Sequence, residues 1–371
     1  VEPYQFISTD TLSADFNAGT LTSSITVANN SVSLMTNSSN ASGWAVNTGT
    51  GTATRLNDII YSTSGFLAVG NPIGGGNTYS IVKSVDGIAW TGVTSTGTSG
   101  NHVAYGNGVF VASGYFFSLW YSLNMGDTWS SVTSPLKAGI YYPYGVAFGN
   151  GVFVVVSLSS NGSLPQVSVS TNGINWTTKT EAERNSWRNV TYGNGVFVAV
   201  ASDGTHRVMT SSNNGETWVA RTAAENNTWV SVTYGNGVFV AVASDGTNRV
   251  MRSSDNGVTW VSHSAASVST WLSITYGNGV FVAVGNNAVM TSSDNGVTWV
   301  SGTPANNQYW YGVAYGAGIY VSVGHSTDGY PLMTSTTDVS TGTFTSRAHT
   351  IETAVSSQTY YGYITYTSSV P

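Results

Sequence analysis

The stretch TYGNGVFVAVA at residues 191–201 occurs again, letter for letter, at 233–243, and a third time at 275–285 with only the last letter changed. Related stretches occur along the 371-residue chain, each with an aromatic residue just before its turn. These aromatic residues are Tyr61, Tyr105, Phe148, Tyr192, Tyr234, Tyr276 and Tyr315. Their spacing of 44, 43, 44, 42, 42 and 39 residues matches a propeller blade of four strands, which takes about 40–50 residues.

Each repeat has the pattern of four short strands. Residues 187–192 (WRNVTY) indicate an inner strand, and Asn194 with Gly195 predicts a tight hairpin in which both residues have positive φ. Residues 196–201 (VFVAVA) are almost continuously apolar, as expected of a strand that is covered on both faces. A polar loop, a third strand and a turn ending in Trp218 complete the unit.

The second turn of each repeat has a constant composition. It reads SSDNGVTW at 253–260 and 292–299, and SSNNGETW at 211–218. The Asp or Asn side chain can accept hydrogen bonds from backbone N–H groups of its own turn, Gly permits positive φ, and Trp can pack beneath. The pattern Ser-x-Asp-x-Gly-x-Thr-Trp resembles the Asp-box of sialidase-like (BNR) β-propellers, of the kind found in bacteriophage and bacterial surface proteins. It resembles photosystem assembly-factor propellers more distantly.

The predicted fold class is all-β, a single β-propeller domain over residues 1–371 made of four-stranded blades. Eight outer strands that begin with Trp or Phe favour eight blades, with seven blades and terminal extensions as the alternative. We expect the two chain termini to close the ring in one blade, because propellers often avoid an open edge in this way.

The eight-bladed arrangement assigns both ends of the chain. Residues 25–44 would hold the later strands of the closing blade, and residues 361–366 (YGYITY) its inner strand, within a closing segment at 345–371. Residues 332–344 would complete the preceding blade. Residues 1–20 are predicted to be an N-terminal arm or, alternatively, the first inner strand.

Composition excludes several function classes. Only 8% of the residues are charged, and 11 Lys and Arg are too few and too scattered to form a phosphate-neutralising patch, so no nucleic-acid binding is expected. No apolar run approaches the roughly 18 residues that span a bilayer, so no membrane insertion is expected. The five histidines are dispersed without ligand spacing, so we predict neither a metal nor a cofactor.

The sialidase resemblance implies a catalytic site that the sequence does not support. Sialidase-like catalysis needs three converging arginines, a Tyr nucleophile with a Glu partner, and an acidic Asp. Here Arg207 and Arg249 occupy equivalent positions in successive repeats, which places them around a ring rather than at one point. We therefore predict that the protein is not an enzyme, with a sialidase-like glycoside hydrolase as the alternative.

Ligand binding is predicted on the face opposite the Asn-Gly turns, where loops differ between repeats. Four tryptophans recur there, five positions before the hairpin aromatic residue: Trp187, Trp229, Trp271 and Trp310. In one interpretation each fills the gap to the neighbouring blade. In the other the indoles form a stacking platform for sugar rings, with Asp203, Arg207, Asp245 and Arg249 as hydrogen-bonding partners.

A second candidate site is the aromatic loop that contains Tyr115, Phe116, Phe117 and Trp120. An apolar cluster in a surface loop could bind a protein partner, or it could fold into the central channel. Together these features predict a non-catalytic binding or structural propeller at a virion surface or outside the cell, such as a bacteriophage tail adhesin or capsid decoration. Its partner would be a surface glycan or another virion protein. An assembly-factor scaffold is a further alternative.

Overall fold

The computed structural model describes residues 23–28, 31–36, 45–46, 54–72, 80–93, 100–114, 118–132, 143–158, 165–325 and 332–335. Every helix or strand element in these ranges is a β-strand, which confirms the all-β class. None of the described residues forms a helix long and apolar enough to cross a membrane. Strands β1 (Ser23–Ala28) and β2 (Ser31–Thr36) pair only with each other.

The other described strands form five four-stranded antiparallel sheets and one eight-stranded sheet. The eight-stranded sheet consists of two four-stranded units joined by a single pair, His325 with Arg55, and we number the described four-stranded units as blades 1 to 7. Blade 1 contains β4 (Thr54–Ser62), β5 (Gly65–Pro72), β6 (Ile81–Ser84) and β7 (Thr91–Val93). Blade 2 contains β8 (His102–Gly106), β9 (Val109–Ser113), β10 (Leu119–Ser122) and β11 (Ser130–Ser131). Blade 3 contains β12 (Pro143–Gly149), β13 (Val152–Ser157), β14 (Val167–Ser170) and β15 (Thr177–Lys179). Blade 4 contains β16 (Trp187–Gly193), β17 (Val196–Ala201), β18 (Val208–Ser211) and β19 (Val219–Arg221).

The remaining three blades repeat this order. Blade 5 contains β20 (Trp229–Gly235), β21 (Val238–Ala243), β22 (Val250–Ser253) and β23 (Val261–His263). Blade 6 contains β24 (Trp271–Gly277), β25 (Val280–Gly285), β26 (Ala288–Ser292) and β27 (Val300–Gly302). Blade 7 contains β28 (Tyr309–Gly316), β29 (Ile319–His325), β30 (Leu332–Ser335) and, as its outer strand, β3 (Ala45–Val46). The inner strand of each blade packs against the inner strand of the next, which is the architecture of a β-propeller.

The outer strand of blade 7 comes from the N-terminal part of the chain. Ala45 pairs with Thr334 and Val46 pairs with Met333. This corrects the expectation that residues 332–344 complete that blade by themselves. Residues 1–22 and 336–371, which include the predicted N-terminal arm and the predicted closing segment, lie outside the described residues.

Blade 7 lies directly against blade 1. Strands β28 and β4 pack together, and a Cβ placed on Gly316 would lie 2.0 Å from Cγ of Tyr61. The same contact joins other neighbours, since a Cβ on Gly193 would lie 2.1 Å from Cγ of Tyr234. The eight-bladed prediction puts a further blade between the blades that contain Tyr61 and Tyr315, whereas here the two touch.

The Asn-Gly hairpins have the predicted geometry and face the Trp-containing turns of the neighbouring blade. Asn194 has φ 47° and Gly195 has φ 81°, as a turn of this type requires. The Asn194 side chain donates a hydrogen bond of 2.8 Å to the Asn256 side chain of the next blade, and Asn150 bonds Asn214 in the same way. Both kinds of turn therefore lie on the same face of the molecule.

The Trp-containing turns are held by their own polar side chains. The Asp294 carboxylate accepts bonds from the Thr298 N–H at 2.9 Å and from the Thr298 hydroxyl at 2.6 Å, and the Trp299 indole N–H donates to Gly296 O at 3.1 Å. Partial burial opposes ionisation, but these donors outweigh it and lower the pKa of Asp294 to about 2. The proposed role of the turn residues is confirmed.

Candidate functional site

The four predicted platform tryptophans are buried in the core. Trp187, Trp229, Trp271 and Trp310 all have 0% of their surface exposed. Trp187 donates its indole N–H to Glu183 O at 3.1 Å, and Trp229 donates to Glu225 O at 3.0 Å. Because no indole face is open to a sugar ring, the stacking-platform hypothesis is wrong for these residues, and they fill space between blades instead.

The predicted hydrogen-bonding partners join loops to one another. The Asp203 carboxylate accepts bonds from the Ser186 N–H and hydroxyl at 2.5 and 2.8 Å, and Asp245 binds Thr228 in the same way. Partial burial works against it, but the bonds from Thr228, with the charges of Arg207 and Arg249, lower the pKa of Asp245.

Arg207 and Arg249 connect neighbouring blades. Nη1 of Arg207 donates to Asn227 O at 2.8 Å, and Nη1 of Arg249 donates to Ser269 O at 2.5 Å. Each acceptor precedes the inner strand of the next blade. In this structure the hydrogen bonds of these four residues hold the loops to one another and to the next blade. The role of Asp203, Arg207, Asp245 and Arg249 in ligand binding stays a prediction.

The aromatic loop is described only in part. Tyr115, Phe116 and Phe117 lie outside the described residues, so their role in partner binding stays a prediction. Trp120 lies in β10, half-buried, and packs against the apolar cluster between blades 1 and 2. Its indole N–H is buried and has no hydrogen-bond partner among the described residues.

A different set of residues meets at the start of the inner strands. We call it the inner-strand row, and it consists of Tyr311, Arg55, Asp58, His102, Tyr144 and Arg188. They come from blades 7, 1, 2, 3 and 4, which are neighbours, and all six side chains are half-buried. The row lies at the end of the inner strands away from the Asn-Gly turns.

Contacts join the row in two groups, Tyr311 with Arg55 and Asp58 through His102 and Tyr144 to Arg188, and strand β4 carries both Arg55 and Asp58. The Arg55 guanidinium carbon lies 4.4 Å from the centre of the Tyr311 ring, and Asp58 Oδ2 lies 3.3 Å from His102 Nδ1. The His102 and Tyr144 rings meet edge to face with centres 5.0 Å apart. At the far end, the Arg188 guanidinium carbon lies 5.4 Å from the centre of the Tyr144 ring.

β-Bulges turn several of these side chains out of the sheet. The pairing of β16 with β17 shifts register between Trp187 and Asn189, so Arg188 is the extra residue, and Tyr311 is the extra residue of β28. A bulge can redirect a side chain and is common next to functional sites. Here a completely buried Trp is followed directly by a half-buried residue.

Backbone and hydroxyl groups fix the middle of the row. Asp58 accepts hydrogen bonds from the Ile59 N–H at 2.9 Å and from the Val103 N–H at 3.0 Å. The Ser113 hydroxyl accepts from the His102 N–H at 3.1 Å and donates to Tyr144 O. Two of these contacts, from Val103 to Asp58 and from Ser113 to Tyr144, join neighbouring blades, so they hold the row residues at fixed positions on a rigid scaffold.

The sequence contained a signal for this row that the repeat comparison passed over. The position after the buried Trp holds Val230 and Leu272 in blades 5 and 6, but Arg188 and Tyr311 in blades 4 and 7; the equivalent position of blade 3, after Pro143, holds Tyr144. The Trp recurs from blade to blade, whereas the residue after it differs, and this difference is the signal for the row. Among the described residues, no three His, Asp or Glu side chains lie together as a set of metal ligands.

The chain matches no protein-family model and none of the curated proteins. Several solved structures share its fold. YCF48 bound to a D1 peptide has a TM-score of 0.59 and 16% identity over 81% of this chain and 97% of its own. A catalytically inactive virginiamycin B lyase from Staphylococcus aureus with quinupristin has a TM-score of 0.63 and 13% identity over 78% of this chain and 98% of its own. The GH74 enzyme of Niastella koreensis has a TM-score of 0.59 and 12% identity, and this chain covers 55% of it.

These similarities establish the β-propeller fold. At such low identity they carry no functional residue across, and the neighbours themselves are a peptide-binding protein, a lyase and a glycoside hydrolase. Function therefore has to be argued from the residues of this chain.

Proposed function

We propose that this protein is a non-catalytic binding module that holds a polypeptide against the inner-strand row. The observation that carries the proposal is the concentration of unlike aromatic and charged side chains on five neighbouring inner strands. Blades 5 and 6 have Val230 and Leu272 at the position where the row has Arg188 and Tyr311. A repeat that departs from its own pattern at one place on the ring marks that place as a site.

The chemistry of the row suits a protein ligand. Tyr and Arg are enriched at the centres of protein interfaces, because they combine a large contact area with directed hydrogen bonds. The rings of Tyr144 and Tyr311 are each covered on one side by an Arg, which limits their loss of conformational freedom on binding. The complex of YCF48 with a D1 peptide supports the idea that this fold can hold a peptide.

A peptide array of mixed composition, probed with the full chain, tests the proposal. We expect a subset of peptides to bind, and Tyr144→Ala and Tyr311→Ala to weaken binding by about tenfold or more, as truncation of an aromatic anchor does. The matched controls are Val230→Ala and Leu272→Ala, which change the same position in blades outside the row. Equal losses in all four variants, or no peptide bound at all, would overturn the proposal.

The absence of catalysis is a separate part of the proposal. The carboxylates of Asp203 and Asp245 accept hydrogen bonds from Ser186 and Thr228, in the loops that precede the inner strands of their blades, so they stabilise the fold. A screen with fluorogenic glycosides should show no turnover. Turnover that disappears in the His102→Gln variant would overturn this part and favour a hydrolase.

We also propose that the propeller is displayed on a virion or cell surface. The support is its composition, which is low in charge and rich in Gly, Ser, Thr and Asn, with the resemblance to surface-protein repeats. Mass spectrometry of purified particles checks this, and failure to find the protein there would count against the virion placement.

We further propose a closed ring of seven blades. The contact of Gly316 with Tyr61 and the pairing of β3 with β30 support it. In this arrangement the strand at 45–46 closes the ring, which protects the edge of blade 7. A low-resolution electron-microscopy projection along the axis would count the blades directly.

A further inference from the structure

We infer that the ligand of the inner-strand row carries carboxylates, and that Arg55 and Arg188 bind them. This rests on the proposed function, because it names the class of polypeptide that the same site would take. It adds that the segment is acidic and that its negative side chains are held at two points.

The Arg55 side chain is held in place through Nε and its guanidinium face, but its two terminal nitrogens, Nη1 and Nη2, are available to a ligand. Its Nε donates to Asn57 Oδ1 at 2.8 Å, and its guanidinium lies over Tyr311. Its Nη1 and Nη2 make no hydrogen bond or ion pair with any described residue. An Arg held by Nε and by a ring face presents the two-pronged donor edge that matches a carboxylate.

Arg188 repeats this arrangement at the other end of the row. Its Nε donates to Ser202 Oγ at 3.1 Å, and its guanidinium lies over Tyr144. Its Nη atoms likewise have no partner in the described part of the chain. Contact with a ring face also keeps the cation in place with little desolvation cost.

No described carboxylate neutralises either arginine. Asp58 is the row's own acidic residue. Its Oδ1 accepts a bond from the Ile59 N–H and its Oδ2 from the Val103 N–H, and Oδ2 also lies 3.3 Å from His102 Nδ1. The described ion pairs of Arg involve Arg184 with Glu181. The row is thus a locally positive place on a chain of net charge -6, which favours an anionic ligand there.

Other arginines of the chain use their guanidinium groups differently from Arg55 and Arg188. Arg207 and Arg249 use Nη1 to bind backbone carbonyls of the next blade. Arg221 on the outer strand β19 donates through Nε to Thr210 Oγ1 at 3.1 Å, far from the row. Arg221, which is half-buried like Arg55 and Arg188, therefore supplies a matched control for the loss of one positive charge.

The placement of the two arginines favours a polypeptide over an acidic sugar. Arg55 belongs to blade 1 and Arg188 to blade 4, and His102 and Tyr144 of the two intervening blades lie between them. One sugar carboxylate would engage one arginine. An extended acidic polypeptide can reach both Arg55 and Arg188 and lie across the rings of His102 and Tyr144 between them.

Fluorescence anisotropy with three labelled probes tests the inference. The probes are a short capped glutamate oligomer, a glutamine oligomer of equal length, and an oligogalacturonate. We expect the wild-type chain to bind the glutamate oligomer about tenfold or more tightly than the glutamine oligomer, since charge-assisted bonds are about twice as strong as neutral ones. Arg55→Gln and Arg188→Gln should each weaken binding by about tenfold, and Arg55→Lys by less, while Arg221→Gln should leave it unchanged.

The outcomes separate this inference from the proposed function. Equal binding of glutamate and glutamine oligomers, or an Arg221→Gln effect as large as that of Arg55→Gln, overturns the inference. Peptides bound on the mixed array without any acidic preference also overturn it, yet leave the proposed function intact. Binding of the oligogalacturonate alone replaces the polypeptide with an acidic glycan. Thermal melts of each variant show whether a loss reflects misfolding, and the Arg55→Lys variant keeps the positive charge if Arg55→Gln unfolds.

Discussion

Gly316 of blade 7 lies against the ring of Tyr61 in blade 1, and no Cβ fits between them. The two residues are 255 positions apart in the numbering, yet their contact is the same as that of Gly193 with Tyr234 in successive blades. In blades 2 to 7 the inner strand ends in a glycine, and the missing side chain leaves room there for the aromatic ring of the next blade. At Gly316 this contact joins the last repeat to the first.

Gly316→Ala should destabilise the protein by about 1–3 kcal/mol, because the added methyl group overpacks a closed contact. Chemical denaturation monitored by tryptophan fluorescence measures the change. Gly193→Ala serves as the reference between two successive blades and should cost a similar amount. If Gly193→Ala destabilises and Gly316→Ala does not, the contact between blades 7 and 1 is not part of the folded state.

Ala317 has a left-handed backbone conformation, which is unfavourable for alanine. Its φ is 48°, whereas the equivalent hairpin positions hold Asn236 and Asn278 at 46° and 43°. A left-handed conformation costs a residue with a Cβ about 1–2 kcal/mol. We expect Ala317→Gly to raise the free energy of unfolding by about 1 kcal/mol.

The control for Ala317 is Ala317→Ser, which keeps a Cβ and should change stability little. The measurement is the denaturation midpoint of the three proteins under one set of conditions. A Gly variant no more stable than wild type would mean that the turn relaxes to another conformation.

Tyr320 occupies the position that is Phe in the other six described blades, and its hydroxyl adds a hydrogen bond. Its hydroxyl donates to Gly277 O at 2.5 Å and lies 3.2 Å from Val280 O, while the equivalent residue of blade 6 is Phe281. Tyr320→Phe should lower the free energy of unfolding by about 1 kcal/mol. Tyr315→Phe removes a hydroxyl that bonds no described residue, and it should have little effect; comparable losses in both variants would contradict the role given to Tyr320.

Asp294 should contribute stability that acid removes. Its folded pKa of about 2 lies below the ordinary value of 3.8, so its contribution is full above the ordinary value and is lost as the pH falls through that range towards 2. Asn213 holds the same turn in blade 4 without a charge, accepting from the Thr217 N–H at 3.0 Å. Asp294→Asn should therefore fold.

Melting temperatures of wild type and Asp294→Asn, measured between about pH 2 and pH 6, test this linkage. The difference between them should shrink as the pH falls, because the wild type alone loses the carboxylate contribution. A difference that stays constant across the range would show that the charge of Asp294 does not stabilise the turn.

The repeat by itself determined the blade. Asn194 and Gly195 require a turn with positive φ, the apolar run of β17 requires cover on both faces, and Asp294 or Asn213 requires donors from its own turn. These are local demands of short segments, so they could be predicted from the sequence and appear as predicted. Repetition then fixed the architecture, because each unit can bury its faces only against copies of itself.

Tertiary structure alone decided which residues at the start of the inner strand face outward. Trp187 and Arg188 are adjacent in sequence, yet Trp187 is completely buried, whereas Arg188, the extra residue of the bulge in β16, is half-buried. The sequence also could not predict that β3 supplies the outer strand of blade 7. Strands β3 and β30 are separated by most of the chain, and a two-residue strand has no distinctive pattern. Periodicity predicts contacts that every repeat makes, whereas the inner-strand row and the joining of the chain's two ends depend on contacts that occur once.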